Sequence, residues 1–179
     1  LIGEHNLSNI AGAYKVCESL GVHPDVAVKA IKAFKGLKHR LQMVGTHHGI
    51  DWVDDAISTT PESAIAALHA LTGKVDTIIL GGQDRGYDFA ELAQEVVDSS
   101  ITNVILFPDT GVRIRSAIEA TDTSKKIALH DAGSMEEAVG IAKKVTKQGS
   151  VCLLSTASPS YNMFKNFEDK GDQFQREIE

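Results

Sequence analysis

The strongest constraint on the fold of this chain is a repeated alternation of short apolar runs with amphipathic stretches between residues 41 and 154. Runs typical of buried strands lie at 77–80, 103–107, 126–130 and 151–154. Stretches with helical periodicity lie between or before them, at 61–72, 89–98, 111–120 and 134–147. Parallel strands that are covered on both faces give this pattern. The sequence therefore predicts an α/β, Rossmann-like fold with a mostly parallel sheet and flanking helices.

The segments on either side of this region extend the prediction. Residues 41–46 and 50–53 have the pattern of a hairpin, and a short last helix is expected at about 171–178. Two earlier helices, at 7–20 and 24–34, precede a linker at 36–38. Two such helices cannot enclose a core, and the chain opens on Leu1 without Met, so we expect a piece of a longer protein. The predicted boundary separates residues 1–37 from a domain of residues 38–179.

Composition argues against several classes of protein. The formal charge of −6 and the pI near 5.6 are unlike those of nucleic-acid-binding proteins, which need basic patches. No apolar run approaches the roughly 20 residues that span a bilayer, and no signal peptide is recognisable. Cys17 and Cys152 have no paired spacing, which favours reduced thiols and a cytoplasmic protein.

Right-handed crossovers bring the loops that follow parallel strands to one edge of the sheet, where such folds bind ligands. The first of these loops carries Asp54-Asp55, three hydroxyl residues and then Pro61-Glu62. Helix capping by Thr59 or Thr60 explains the end of the loop. It leaves the adjacent carboxylates unexplained, because their mutual repulsion needs a compensating partner.

Two further loops carry polar or permissive residues. Gly81 and Gly82 allow close approach of a ligand, and Arg85 could clamp a carboxylate or phosphate; a tight turn with a solvated arginine is the alternative. The stretch 155–160 is rich in hydroxyls and small residues, and the aromatic and charged segment that follows it is too polar to be a core element. A polar turn before a terminal helix is the alternative.

The N-terminal segment adds two amides. Asn6 could be the N-cap of the first helix. Asn9 is a poor helix former within the first turn and needs another reason, which the paired donor and acceptor of an amide could supply by reading a purine edge.

These residues, in this order, resemble the Mur ligase family. The resemblance rests on His5-Asn6-x-x-Asn9, His39-Arg40, Asp54-Asp55 with Ser58-Thr59-Thr60-Pro61-Glu62, Gly81-Gly82, and the tail Phe164-Lys165-Asn166-Phe167 with Lys170-Gly171-x-x-Phe174. Within the family, the tail is most similar to that of the members that add D-glutamate. The chain departs from the family pattern at Ile57 and Arg85, where lysine is frequent, and at 156–159.

The resemblance implies a role for eight residues. It implies that Asn6 and Asn9 contact adenine. It further implies that Arg40 contacts the phosphates and Asp55 the ribose. It implies binding of D-glutamate by Thr59, Arg85, Ser160 and Phe167. Ser160 would bond a carboxylate, while Phe167 would contribute backbone contacts or packing. No catalytic residue and no metal ligand is assigned within this chain.

The implied reaction is ATP-dependent formation of an amide between UDP-N-acetylmuramoyl-L-alanine and D-glutamate in peptidoglycan synthesis, through an acyl phosphate. Residues 1–37 would end a central domain that holds ATP and most of the Mg²⁺ ligands, with a hinge near 36–40. No P-loop occurs here, so the fragment is expected to be inactive alone, and the whole enzyme to be a cytoplasmic monomer. Alternatives are another Mur ligase, a folylpolyglutamate synthetase, a flavodoxin-like or receiver-type module with Asp54-Asp55 as its acidic pocket, or a structural scaffold.

Overall fold

A six-stranded sheet organises the computed structural model, which describes residues 3, 5–121 and 126–179. Its strands are β1 Gln42–His47, β2 Ile50–Asp54, β3 Val75–Gly81, β4 Asn103–Phe107, β5 Ala128–Asp131 and β6 Val151–Leu154. Their spatial order is β1-β2-β6-β3-β4-β5. The hairpin β1–β2 is antiparallel, and every other pairing is parallel. The predicted mostly parallel α/β sheet is confirmed.

The helices also follow the sequence pattern. They are α1 His5–Ser19, α2 Pro24–Ala33, α3 Pro61–Ala70, α4 Ala90–Asp98, α5 Gly111–Ala120, α6 Met135–Val145 and α7 Phe167–Ile178. The predicted start of α7 at 171 was wrong, because the helix begins at Phe167. Asn166 caps it there, its side-chain oxygen accepting a hydrogen bond from the Asp169 backbone N–H at 2.8 Å.

Two apolar layers lie on opposite faces of the sheet. Alternate residues of β3 serve both, with Ile78 in the layer under α3 and α4 and Ile79 in the layer under α6 and α7. In the second layer Trp52 and Phe174 are both fully buried and meet edge to face, with their ring centroids 5.8 Å apart. This contact seats the C-terminal helix on the sheet.

The first two helices contribute little to these cores. Among their described side chains, Asn6 and Ala27 are the buried ones, whereas Leu7, Leu20 and Val26 are mostly exposed. The division of the chain after residue 37 therefore stays a prediction that agrees with this weak packing. Within the described residues, no helix has the length and apolar character needed to cross a membrane.

We expect Phe174→Ala to lower the free energy of unfolding by about 3–5 kcal/mol, because it removes a buried ring and leaves a cavity against Trp52. Urea denaturation of the 179-residue chain measures this loss. Leu20→Ala, at a side chain that is 76% exposed, is the control and should change stability by less than about 0.5 kcal/mol. Equal losses in the two variants would contradict the seating of α7 by this contact.

Candidate functional site

The three polar loops singled out in the sequence meet at the carboxyl edge of the sheet. The Gly81 N–H donates to the Thr156 carbonyl at 2.8 Å, and the Gln83 N–H donates to the Pro159 carbonyl at 2.8 Å. The Ala157 N–H donates to the Ser58 carbonyl at 3.1 Å. Backbone hydrogen bonds thus join the loops after β2, β3 and β6 into one structure.

A fourth loop, 107–110, belongs to this structure and was missed by the sequence reasoning. The Thr110 hydroxyl donates to the Gly82 carbonyl at 3.1 Å and lies 2.8 Å from the Ser158 hydroxyl. The Asn162 amide donates to the Pro108 carbonyl at 2.6 Å. The sequence did indicate this loop, because Pro108-Asp109-Thr110 directly follows the predicted strand 103–107, as the other loops follow their strands.

Most of the hydroxyl-rich stretch 155–160 is buried, which the sequence reasoning did not anticipate. Ser155 donates to an Asp55 carboxylate oxygen at 2.8 Å, and Ser158 pairs with Thr110. Thr156 accepts a hydrogen bond from the Lys170 ammonium. Polar side chains are stable in an interior when they are hydrogen-bonded, and these residues find partners on three neighbouring elements.

Ser160 is the exception in this stretch. Ser160 is only 3% exposed, and its Oγ has no hydrogen-bond partner among the described residues. A buried hydroxyl without a partner costs about 1–3 kcal/mol. The hydroxyl is therefore free to bond a ligand where the loops meet.

Gly81 and Gly82 allow the backbones of neighbouring loops to pack closely against the end of β3. A Cβ at Gly81 would overlap the backbone of Phe107, and one at Gly82 would overlap the Pro159 carbonyl oxygen. Both residues also have positive φ, at 106° and 151°. Close approach does occur here as the sequence suggested, but neighbouring loops occupy the space, so it gives no support for a ligand against these two residues.

Two arginines serve the loop after β3 in different ways. Arg85 is exposed, and its Nε donates to the Gln83 side chain at 3.2 Å. Arg113, on α5, donates to the Asp84 carboxylate at 2.7 Å and to the Tyr87 carbonyl at 2.6 Å. The sequence reasoning missed Arg113, which anchors the loop and leaves the Arg85 guanidinium at its surface.

The compensating partner that the acidic pair requires is Lys170 on α7. Asp54 and Asp55 are almost completely buried, and Lys170 is 1% exposed. Burial lowers the pKa of Lys170 to about 7, against the opposing influence of the two carboxylates. Burial likewise raises the pKa of Asp55, while hydrogen bonds to its carboxylate oppose the shift. The pair is buried and paired with protein groups, unlike the open acidic pocket that a receiver-type module would need.

The predicted nucleotide residues lie around two adjoining cavities. A groove of about 700 Å³ between α1, α2 and residues 34–43 is lined by Asn6, Asn9 and Arg40, with apolar side chains between them. A smaller cavity of about 190 Å³ shares Arg40 and Leu41 with the groove and reaches Asp55. Asn6 lies inside α1, so its expected role as N-cap was wrong; its side-chain oxygen accepts from the Asn9 amide at 3.4 Å.

The structure brings only some of the predicted site residues into one place. Arg40 is exposed, whereas both Asp55 oxygens are engaged, by the Leu41 N–H at 3.1 Å and by Ser155. Thr59 is half-buried before α3. Phe167 begins α7, where its ring meets the His39 ring edge-on at 6.3 Å. Phe167 therefore lies beside segment 39–41, next to the groove of about 700 Å³.

Within the described ranges, no group of three or more His, Cys, Asp or Glu side chains could hold a metal ion. The described residues therefore form an α/β domain in which four joined loops enclose a buried hydroxyl without a partner, beside a groove edged by two amides.

The chain belongs to the Mur ligase family, since the family model described as "Mur ligase, glutamate ligase domain" matches residues 39–157. It is 38% identical to the UDP-N-acetylmuramoyl-L-alanine--L-glutamate ligase of Salinispora tropica, over 99% of this chain and 40% of that protein. It is 35% identical to the UDP-N-acetylmuramoylalanine--D-glutamate ligase of Pelodictyon phaeoclathratiforme, over 97% of this chain and 36% of that protein.

Solved structures show the same fold at lower identity. A pseudomurein peptide ligase type C from Methanothermus fervidus superposes with a TM-score of 0.69 at 14% identity, over 98% of this chain and 36% of that one. The chain spans about two fifths of the length of the curated relatives named above.

The buried lysine predicts a specific dependence of stability on pH. Between its native pKa of about 7 and its ordinary value of 10.5, Lys170 is protonated in the unfolded chain but neutral in the native one. Stability should therefore rise with pH across this window, by up to about 1.4 kcal/mol per pH unit, and Lys170→Met should lose this rise. Urea denaturation from pH 6.5 to 10.5 measures both slopes.

Lys165→Met, at an exposed lysine of the preceding loop, is the matched control and should keep the wild-type slope. The groups that face Lys170, namely Asp54, Asp55 and Thr156, are present in all three proteins. A slope that is the same in wild type and Lys170→Met would show that the lysine is not held neutral.

Proposed function

We propose that this chain is the glutamate-binding part of a cytoplasmic, ATP-dependent ligase that joins glutamate to UDP-N-acetylmuramoyl-L-alanine in peptidoglycan synthesis. The single observation that carries the proposal is the unpartnered Ser160 hydroxyl, buried where the loops meet. The names of the two relatives indicate the substrates, because both proteins are named as ligases that add glutamate to UDP-N-acetylmuramoyl-alanine.

In this proposal each part of the chain has a defined task. Ser160 donates its hydrogen bond to a glutamate carboxylate, and Arg85 and Thr59 add charge and hydroxyl contacts from the neighbouring loops. Asn6 and Asn9 hydrogen-bond the adenine in the groove between α1, α2 and residues 34–43. Arg40 binds the phosphates where this groove adjoins the smaller cavity.

The chemistry is then one of positioning and charge neutralisation. The acceptor carboxylate attacks the γ-phosphate of ATP to form an acyl phosphate and ADP, and the glutamate amine displaces phosphate to form the amide. Residues 1–37 complete the central ATP-binding domain, which supplies the phosphate and Mg²⁺ ligands, and residues 38–179 bring glutamate to the acyl phosphate. The enzyme acts as a monomer.

The added residue is D-glutamate according to the tail motif around Phe167 and Lys170. L-glutamate is the second candidate, and two observations favour it. The relative at 38% identity carries L-glutamate in its name. The chain also has Ile57 and Arg85 at positions where lysine is frequent in the family.

The first test uses the complete ligase with ATP, Mg²⁺, UDP-N-acetylmuramoyl-L-alanine and radiolabelled D- or L-glutamate. We expect stoichiometric ADP release and amide formation with one enantiomer, and none with the 179-residue chain alone. Release of ADP with diaminopimelate, lysine or a folate in place of these substrates, and with neither form of glutamate, would refute the proposal.

The second test is Ser160→Ala in the complete enzyme. Loss of a hydrogen bond to a carboxylate should raise the KM for glutamate by about 10-fold, which corresponds to about 1.4 kcal/mol, while the KM for ATP changes by less than about twofold. Ser116→Ala, at an exposed serine of α5, is the control and should change neither constant. If the glutamate KM stays at the wild-type value in Ser160→Ala, the hydroxyl does not bind glutamate.

A further inference from the structure

The short segment 39–41 sets the position of Arg40, which lines both cavities of the nucleotide side. The residues on either side of Arg40 are in the left-handed region, with φ of 59° at His39 and 43° at Leu41. Residues with a Cβ are strained there and hold this conformation only when the surrounding structure fixes it. The direction of the exposed Arg40 side chain therefore depends on how its two neighbours are held.

The acidic pair holds both neighbours. Asp54 accepts from the His39 ring at 2.8 Å, and Asp55 accepts from the Leu41 N–H at 3.1 Å. The His39 carbonyl also accepts from the Ile57 N–H at 3.1 Å. Two adjacent carboxylates thus fix the segment on either side of Arg40.

Helix α7 in turn holds the carboxylates. The Lys170 ammonium lies close enough to both for each to raise its pKa, and the Gln175 amide donates to Asp54 at 2.7 Å. A Cβ on Gly171 would overlap the His39 ring and lie 2.8 Å from an Asp54 oxygen. The His39–Asp54 pair therefore packs directly against the α7 backbone at Gly171, where a side chain would not fit.

We propose that Lys170 and Gln175 of α7 are positioning residues for the nucleotide, which act through Asp54 and Asp55 to hold Arg40 at the junction of the two cavities. This role rests on the proposed function only in that the ligand of Arg40 is a nucleoside triphosphate. It assigns to the C-terminal helix a part in ATP binding, although the helix itself lines neither cavity.

The test is ATP binding by titration calorimetry in the complete enzyme, without any amino acid, together with the KM for ATP and for glutamate. Lys170→Met should weaken ATP binding about 10-fold or more, because it removes the amino group that faces the two buried carboxylates. Gln175→Ala should weaken it about threefold. The KM for glutamate should change by less than about twofold in both variants, and Lys170→Arg should restore most of the ATP affinity.

Gln173→Ala is the matched control, since this amide, on the same helix, bonds only Asp169 among the described residues. It should leave ATP binding unchanged. If Lys170→Met does not fold, Gln175→Ala decides, because alanine suits a helix and leaves no buried cation unpaired.

Wild-type affinity for ATP in Gln175→Ala, or equal losses for ATP and glutamate in either variant, would overturn the positioning role. A wild-type enzyme that binds ATP but does not incorporate glutamate refutes the proposed function instead. In that case the ATP affinities of the variants still test the positioning role of α7.

Discussion

The arrangement of the site depends on one electrostatic constraint, the burial of Asp54 and Asp55 beside Lys170. Two carboxylates at the end of a buried strand repel each other and lose their hydration. The amino group of Lys170, which comes from a distant part of the chain and is charged below its pKa of about 7, offsets their repulsion. The hydrogen bonds that complete the cluster come from segment 39–41 and from the loop after β6. A change in any of these elements is therefore felt by the others.

The loops around this cluster combine rigidity with one unsatisfied group. Backbone hydrogen bonds and the side chain of Thr110 join four loops, and glycines at 81 and 82 let their backbones touch. In such a closely bonded structure, the lone hydroxyl of Ser160 is conspicuous, because nearly every neighbouring polar group has found a partner. A rigid frame with a free hydrogen-bonding group is suited to recognising one small ligand.

Segment 39–41 follows the linker and carries Arg40, which lines both cavities. Arg40 is exposed but lies between two anchored residues, so it can meet a ligand without a large loss of backbone entropy. In contrast, the first two helices bury few side chains and present much apolar surface, such as that of Leu20. The well-packed part of the molecule thus begins after the linker.

The sequence alone determined the sheet, the helices and the convergence of the loops, because strand and helix periods and the hand of crossovers are local or general properties. It also indicated that the acidic pair needs a partner. It did not identify Lys170 as that partner, the buried state of 155–160, or the anchor Arg113, because each depends on contacts between residues far apart in the chain. Only the tertiary structure decides which buried polar side chains are paired and that, among the described residues, Ser160 is not, because pairing depends on which distant elements pack together.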